Sequence, residues 1–151
     1  MNDASIQTRP MQEEDLDRVV ALDAQASGMR RSDFFRKRWR AVAGAPDVYI
    51  VLVALSGDEV EGFIMAHVLA GEFGTDDRFA ILDGLGVESG MRRSGIGAEL
   101  VTALKCAARD RDCTELRTQA AWGQQQLLSF FANAGFSLAA VNVLERDLTE
   151  D

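Results

Sequence analysis

Residues 87–100 read Val-Glu-Ser-Gly-Met-Arg-Arg-Ser-Gly-Ile-Gly-Ala-Glu-Leu, and this stretch decides the fold. The apolar run over residues 79–87 predicts a strand before it, and the spacing of apolar residues over 97–111 predicts a helix after it. Gly95 and Gly97 let the backbone approach a ligand without interference from a Cβ atom. Because free N–H groups at a helix start attract anions, the stretch is typical of a loop that binds a diphosphate.

Two arginines add positive charge to this loop, and two known phosphate-binding patterns do not fit it. Arg92 and Arg93 directly precede Ser94 and would supply charge-assisted contacts to an anion. The loop lacks the Gly-Lys-Ser/Thr of a nucleoside-triphosphate site, and no Gly-x-Gly-x-x-Gly begins at Gly84 or Gly95. A tight turn between a strand and a helix also explains two glycines two residues apart, so the loop alone leaves both interpretations open.

Composition limits the class of protein. The chain has 151 residues, 47% of them hydrophobic and 26% charged, which predicts one globular domain over residues 1–151. A net charge of −8 argues against general binding to nucleic acid. No apolar run is long enough to span a membrane, and the N-terminus lacks the pattern of a secretory signal. Cys106 and Cys113 are the only cysteines, too few for a disulfide framework, so we expect reduced thiols in a cytoplasmic protein.

The charge is uneven along the chain. Residues 29–40 contain six basic side chains and the single acid Asp33. The favoured interpretation is a solvated helix face. The alternative is a basic rim beside a binding site, which would attract an acceptor that carries a carboxylate or a phosphate.

Periodicity and turn residues predict a β-α-α-β-β-β-α-β-α-β-β order. Seven strands are predicted, at residues 6–9, 48–55, 60–70, 79–87, 115–120, 136–140 and 142–148. Four helices are predicted, at residues 13–26, 33–43, 97–111 and 124–134. This order is typical of a mixed sheet flanked by helices.

The loop resembles the signature of the GNAT superfamily of acetyl-CoA-dependent N-acetyltransferases, which reads Arg/Gln-x-x-Gly-x-Gly/Ala after a strand. Residues 6–10, followed by the acidic residues 13–15, resemble the family's first strand and helix. Residues 133–136, Asn-Ala-Gly-Phe, resemble its helix-ending Gly-Phe. The resemblance covers almost the whole chain. It implies an α/β (α+β) fold with a mixed, mostly antiparallel central sheet of six to seven strands, flanked by about four helices.

The resemblance also implies acetyl-CoA as co-substrate and assigns residues to hold it. Leu85, Gly86 and Val87 would pair with the pantetheine arm, and a main-chain N–H there would polarise the thioester carbonyl. The pyrophosphate would lie against the loop and the first helical turn, which contain Arg92, Arg93, Ser94, Gly95, Ile96, Gly97 and Ala98. Gln124 stands where many members have an asparagine that contacts the cofactor. No metal is implied.

The implied activity is transfer of acetyl to a primary amine of a small molecule or protein, by direct attack in a ternary complex. Many members have a tyrosine four residues before the Gly of Gly-Phe, which protonates the departing thiolate, but this chain has Phe131 there. An alternative is therefore a GNAT-shaped CoA-binding or regulatory module with little or no catalysis. Use of a longer acyl-CoA is a third hypothesis. Pairing of two chains into a homodimer is a further expectation.

The attacking amine must be neutral, so a general base is expected. Asp83 is the first candidate, because strand alternation places it on the same face as Leu85. The competing interpretation is that it pairs with a nearby arginine or caps a neighbouring backbone group. Glu72 is the second candidate, with a solvated loop acid as its alternative, and Glu88 is a weaker third. His67 has the parity of the apolar residues on its strand, which indicates a packed or rim histidine.

Overall fold

A five-stranded sheet organises the first of two units in the chain. The structure, a computed structural model, describes residues 5–91 and 94–149. The first unit ends at Gln119 and the second begins at Ala120. The strands are β1 (Ile6–Pro10), β2 (Tyr49–Ser56), β3 (Glu59–Ala70), β4 (Arg78–Val87) and β5 (Glu115–Arg117). The helices are α1 (Leu16–Ser27), α2 (Ser32–Gly44) and α3 (Ile96–Arg109) in the first unit and α4 (Gln125–Asn133) in the second.

The strands lie side by side in sequence order, from β1 to β5. β1 to β4 pair antiparallel, whereas β5 pairs parallel to β4. The predicted mixed, mostly antiparallel sheet and the four helices are confirmed, but among the described residues the sheet has five strands and not six or seven. The prediction of one domain over residues 1–151 stays a prediction. None of the described helices combines the length and the apolar character needed to cross a membrane.

The two faces of the sheet are covered by different helices. On the first face, Leu22 of α1 and Phe35 of α2 pack in one buried cluster with Phe63 of β3. On the second face α3 approaches so closely that a Cβ atom on Gly62 would lie 2.8 Å from Cγ2 of Ile96. We call these the α1/α2 face and the α3 face. The central run of β2 is buried throughout because both of its sides are covered.

The C-terminal strands predicted at 136–140 and 142–148 are wrong. Within the described part of the second unit, which reaches Thr149, neither segment forms a strand. Leu138 and Leu144 are almost fully exposed. A strand forms only where a neighbouring strand accepts and donates its backbone hydrogen bonds, and apolar composition alone does not show that such a neighbour exists. β5 is likewise shorter than predicted, since it ends at Arg117 and not at residue 120.

Candidate active site

A β-bulge in β4 sets the geometry of the site. Met65 of β3 lies opposite Gly84, whereas the next residue, Ala66, lies opposite Leu82. Asp83 is therefore an extra residue without a partner on β3. A bulge of this kind bends the strand and redirects a side chain, and such bulges are frequent beside active sites.

The bulge overturns the alternation argument for Asp83. The Asp83 carboxylate contacts Arg38 of α2 and therefore lies on the α1/α2 face. Phe63 lies on the α1/α2 face, so the next residue of β3, Ile64, points to the α3 face. Leu85 is paired with Ile64 and therefore also lies on the α3 face. Asp83 and Leu85 occupy opposite faces because the extra residue shifts the alternation by one position.

Two side chains lie within hydrogen-bond distance of the same oxygen of Asp83. Nη1 of Arg38 lies 3.0 Å from Oδ2, and Nδ1 of His67 lies 2.7 Å from it. The Arg38 guanidinium also lies over the ring of Tyr49, 4.9 Å from its centroid, which fixes its position by a cation–π contact. Pairing of Asp83 with an arginine, the competing interpretation from the sequence, is what the structure shows.

The outer edge of β4 is open beyond Ile81. β5 pairs only with Phe79, Ala80 and Ile81, and the hydroxyl of Thr118 then donates to the Leu82 carbonyl at 3.1 Å. In the part of the chain that the structure describes, no strand pairs with the outer edge of residues 83–87. Asp83 is exposed although its side chain keeps only 21% exposure, so the exposed part is largely main chain. The edge thus offers backbone groups to a ligand at Asp83; farther along it, Leu85 and Val87 are half-buried and Gly86 is buried.

The predicted cofactor loop leads from β4 into α3. A 3-10 turn, Ser89–Met91, follows the strand, and Gly95 has φ 87° immediately before the helix begins at Ile96. Within the described residues no side chain caps this helix start, an arrangement that suits an anion at its first N–H groups. Ile96 and Gly97 are buried, whereas Ser94, Gly95 and Ala98 are exposed. Arg92 and Arg93 lie outside the described residues.

Helix α1 is tied to the entrance of this loop by Glu88. Nη2 of Arg18 and Nε2 of Gln25 donate to Oε2 of Glu88 at 2.9 Å and 3.0 Å. The backbone N–H of Ser89 donates in turn to Oε1 of Gln25 at 3.2 Å. The hydrogen bond from Gln25, followed by that from Arg18, holds the pKa of Glu88 below its usual range. A carboxylate engaged in this way is a poor proton acceptor, so Glu88 is better described as an anchor of the loop than as a base.

Glu72 lies in a 3-10 turn, Glu72–Gly74, between β3 and β4. Its carboxylate forms no ion pair or hydrogen bond with the described residues, so the structure gives it no link to the Asp83 group. Its neighbour Phe73 has φ 54° and is almost fully exposed. This environment matches the solvated loop acid.

The remaining predicted residues, Gln124 and Phe131, belong to the second unit. Oε1 of Gln124 accepts a hydrogen bond from the backbone N–H of Ala121 at 2.8 Å, just before α4. The Phe131 ring packs against Phe130 and Phe136, with centroids 5.4 Å and 5.0 Å away. Both residues are therefore engaged within their own unit.

Sequence reasoning missed His67, Arg38, Arg18 and Gln25 as parts of the site. The parity of His67 correctly indicated the face that packs on the helices, but not its pairing with Asp83. Nothing in the sequence distinguished Arg38 from the other basic residues of its segment. Only the three-dimensional packing of α1 and α2 on β3 and β4 brings these side chains together.

Comparisons with known proteins identify the family of the chain. The model of the acetyltransferase (GNAT) family matches residues 13–136. No curated protein sequence gives a significant match.

Solved structures with the same fold include three with different descriptions. The aminoglycoside N-acetyltransferase AAC(6′)-Iy in complex with CoA has a TM-score of 0.83 and 16% identity, with 97% of both chains covered. The aminoglycoside 6′-N-acetyltransferase AAC(6′)-Ih from Acinetobacter baumannii has a TM-score of 0.79 and 22% identity, with 95% of this chain and 99% of that chain covered. A transcriptional regulator from Bacillus halodurans C-125 has a TM-score of 0.79 and 19% identity, with 95% and 100% covered.

These likenesses establish the fold and not the acceptor, because one fold carries several functions. The family model covers most of the chain, and it matches the elements from the first helix to the Gly-Phe pair. The chain therefore belongs to the GNAT family of acetyltransferases.

Proposed function

We propose that this acetyltransferase transfers acetyl from acetyl-CoA to a primary amine of a small molecule or protein, by direct attack within a ternary complex. One observation carries the proposal, the course of β4. The strand bulges at Asp83, and no described strand pairs with its outer edge from there as far as Val87. It is followed by Gly95 and the start of α3, which has no side-chain cap among the described residues. The open edge is followed along the chain by the helix start. A long ligand with a polar arm and a diphosphate requires two such neighbouring sites, one for each part.

The open edge of β4 suits the pantetheine arm and the thioester. The arm contains amide groups, and an unpaired strand edge presents N–H and C=O groups that hydrogen-bond to amides. A backbone N–H directed at the thioester oxygen would stabilise the negative charge that develops there during attack. We assign this role to the backbone of Leu85, Gly86 and Val87.

The start of α3 suits the pyrophosphate. Free N–H groups and the positive end of the helix dipole attract a diphosphate, and the exposed Ser94 and Gly95 allow it to approach. We assign Gly97 and Ala98 to the same turn and Arg92 and Arg93 to flanking contacts. The structure of AAC(6′)-Iy was determined with CoA, which supports acetyl-CoA as the co-substrate here.

The basic stretch gives little support to an anionic acceptor. Arg31 pairs with Asp23, Arg38 pairs with Asp83, and Arg36 lies 3.9 Å from Asp33. Two of the six basic side chains are thus engaged in short ion pairs, and the Arg36 pair is long and exposed. We therefore propose the acceptor class only as a primary amine, without a required carboxylate or phosphate.

Calorimetry with acetyl-CoA tests the binding half of the proposal. Gly95→Glu places a side chain at φ 87° and a carboxylate beside the pyrophosphate, so binding should weaken by at least about tenfold, or 1.4 kcal/mol. Gly74→Glu is the matched control. Gly74 also has a positive φ and free space around its Cβ position, but it precedes β4 instead of following it. No binding by the wild type, or equal binding by both variants, would contradict the proposal.

Thiol release from acetyl-CoA across a panel of amines tests the catalytic half. Acceleration above the rate of hydrolysis with at least one primary amine is the expected result. Tight binding of acetyl-CoA with no acceleration for any amine would instead identify a CoA-binding module. Comparison of acetyl-, propionyl- and succinyl-CoA in the same assay defines the acyl group.

A further inference from the structure

We propose that His67 is the catalytic base that takes the proton from the acceptor ammonium, and that Asp83 is the positioning residue that orients its ring. This inference deepens the proposed function and rests on it. It replaces the candidate bases taken from the sequence, because each of those carboxylates is engaged elsewhere or isolated.

The hydrogen bond to Asp83 fixes the tautomer of His67. The Arg38 guanidinium can only donate, and its Nη1 lies 3.0 Å from Oδ2 of Asp83, a contact that favours the charged carboxylate, which has no proton to donate. The proton in the 2.7 Å contact therefore belongs to Nδ1 of His67. In a neutral imidazole with Nδ1 protonated, Nε2 carries the lone pair, which is the arrangement that a base requires.

Nε2 of His67 is accessible from solvent. Among the described residues the His67 ring makes one side-chain hydrogen bond, through Nδ1. In residues of that part of the chain that are not exposed, every buried side-chain nitrogen or oxygen has a hydrogen-bond partner. His67 is only half-buried, with 27% of its side chain exposed, so an unpartnered Nε2 must reach solvent. Nε2 is therefore not sealed inside the protein, as a base that meets an incoming amine requires.

The ring stands where the outer edge of β4 opens. His67 pairs with Ile81, which is also the last residue of β4 to pair with β5. The bulge at Asp83 begins two residues later. A thioester held along the open edge would thus have a base next to its reacting end. The charged groups facing the ring are Asp83 from β4 and Arg38 from α2, and Tyr49 is its cross-strand neighbour on β2.

The chemical step balances without any further reactant. Nε2 of His67 takes one proton from the acceptor ammonium, and the imidazolium is stabilised by Asp83. The neutral amine attacks the thioester carbon, a C–N bond forms, and the C–S bond breaks to release CoA thiolate. The second amine proton passes to the thiolate through solvent, and the imidazolium returns its proton to solvent. This route needs no acid at the position of Phe131.

His67→Asn is the decisive variant, because its amide N–H can still donate toward Asp83 while the basic nitrogen is lost. With an alkylamine, kcat/KM should fall by about a hundredfold or more. With a weakly basic amine such as an aniline or an alkoxyamine, already neutral at pH 7, the rate should change little. Acetyl-CoA affinity and the unfolding midpoint serve as controls and should be unchanged. An equal loss for both classes of amine, or no loss, would overturn the inference.

A second readout does not depend on turnover. His67 is the only histidine in the chain, so its ring nitrogens give one set of NMR signals. The neutral ring should be the Nδ1–H tautomer in the wild type and should lose that preference in Asp83→Asn. A wild-type Nε2–H tautomer would overturn the inference. Wild-type protein that binds acetyl-CoA but acetylates no amine would overturn the proposed function, whereas turnover unaffected by His67→Asn would overturn only the assignment of the base.

Discussion

Gly86 of β4 lies directly opposite Phe63 of β3, and a Cβ atom on Gly86 would stand 2.5 Å from Cε1 of the Phe63 ring. The ring is fully buried and cannot move aside cheaply. We expect Gly86→Ala to lower the free energy of unfolding by about 1–3 kcal/mol through overpacking. Equilibrium unfolding in urea measures this change.

Gly84→Ala is the matched control for that variant. It lies on the same face of the same strand, but its Cβ atom would be 3.5 Å from Cε of Met65, an ordinary contact distance. Its free energy of unfolding should stay close to that of the wild type. Equal losses in the two variants would show that backbone flexibility of β4, and not contact with Phe63, requires the glycines.

A second prediction concerns the connection between α1 and α2. The Asp23 carboxylate is buried and accepts hydrogen bonds from Nε and Nη2 of Arg31 at 2.9 Å and 2.6 Å. Arg31→Met leaves this charge buried without its partner. We expect a loss of about 2–3 kcal/mol in the free energy of unfolding, below the ~3–5 kcal/mol of a fully buried pair, because Arg31 is itself 39% exposed.

Arg36→Met provides the comparison for Arg31→Met. Arg36 lies in the same basic stretch, but its pair with Asp33 is long and exposed. Surface pairs of this kind contribute about 0–1 kcal/mol, so little change is expected. Thermal and urea unfolding measure both variants. Similar losses in the free energy of unfolding would show a general effect of removing positive charge and would contradict the prediction.

A third prediction concerns Gln25, which holds both Glu88 and the backbone of Ser89 at the start of the cofactor loop. Gln25→Leu removes both hydrogen bonds. We expect acetyl-CoA to bind about three- to tenfold more weakly, which corresponds to the ~1 kcal/mol net value of a hydrogen bond. Gln7→Leu on the edge strand β1 adds the same apolar side chain and should bind like the wild type. Unchanged affinity for Gln25→Leu would show that the loop is positioned without α1.

A fourth prediction concerns acid stability. The hydrogen bond from Arg9 holds the pKa of Asp15 below its usual range, with the backbone N–H of Gln12 contributing. The ionised carboxylate therefore stabilises the folded state above its unfolded pKa of about 4, and this contribution is lost as the pH falls through the lower folded value. Burial raises the pKa of Glu61, partly offset by Arg18, so its contribution has the opposite sign and stability is gained as the pH falls.

The two carboxylates can be separated by substitution. Between pH 7 and about pH 3, Asp15→Asn should lose less stability than the wild type, and Glu61→Gln should lose more. Urea unfolding at a series of pH values measures both slopes. Parallel curves for the three proteins would contradict the assigned signs.

The sequence predicted the elements that depend on local pattern. The buried run of β2, the start of α3 near Gly97 and the break before it at Gly95 follow from apolar spacing and from a residue that tolerates positive φ. The order of elements along the first unit was also predicted correctly. Family membership followed from the same loop, because its residues are adjacent in sequence.

The features that were missed depend on pairing between distant segments. Strict alternation places Asp83 with Leu85, and only the register against Met65 and Ala66 reveals the extra residue. The pairing of Asp83 with His67 and Arg38 joins three elements that are far apart in the chain. Apolar composition likewise predicted C-terminal strands that have no ladder within the described residues. Neither register nor the presence of a neighbouring strand is encoded in a single segment.

The open edge of β4 has a consequence for the behaviour of the protein in solution. A row of unpaired backbone groups is a template on which a strand from another molecule can add, and proteins blunt such edges with bulges and charges. The bulge at Asp83 interrupts this row at its first residue. The irregularity that admits a ligand thus also protects against self-association. Light scattering during mild heating should therefore decrease when acetyl-CoA covers the edge.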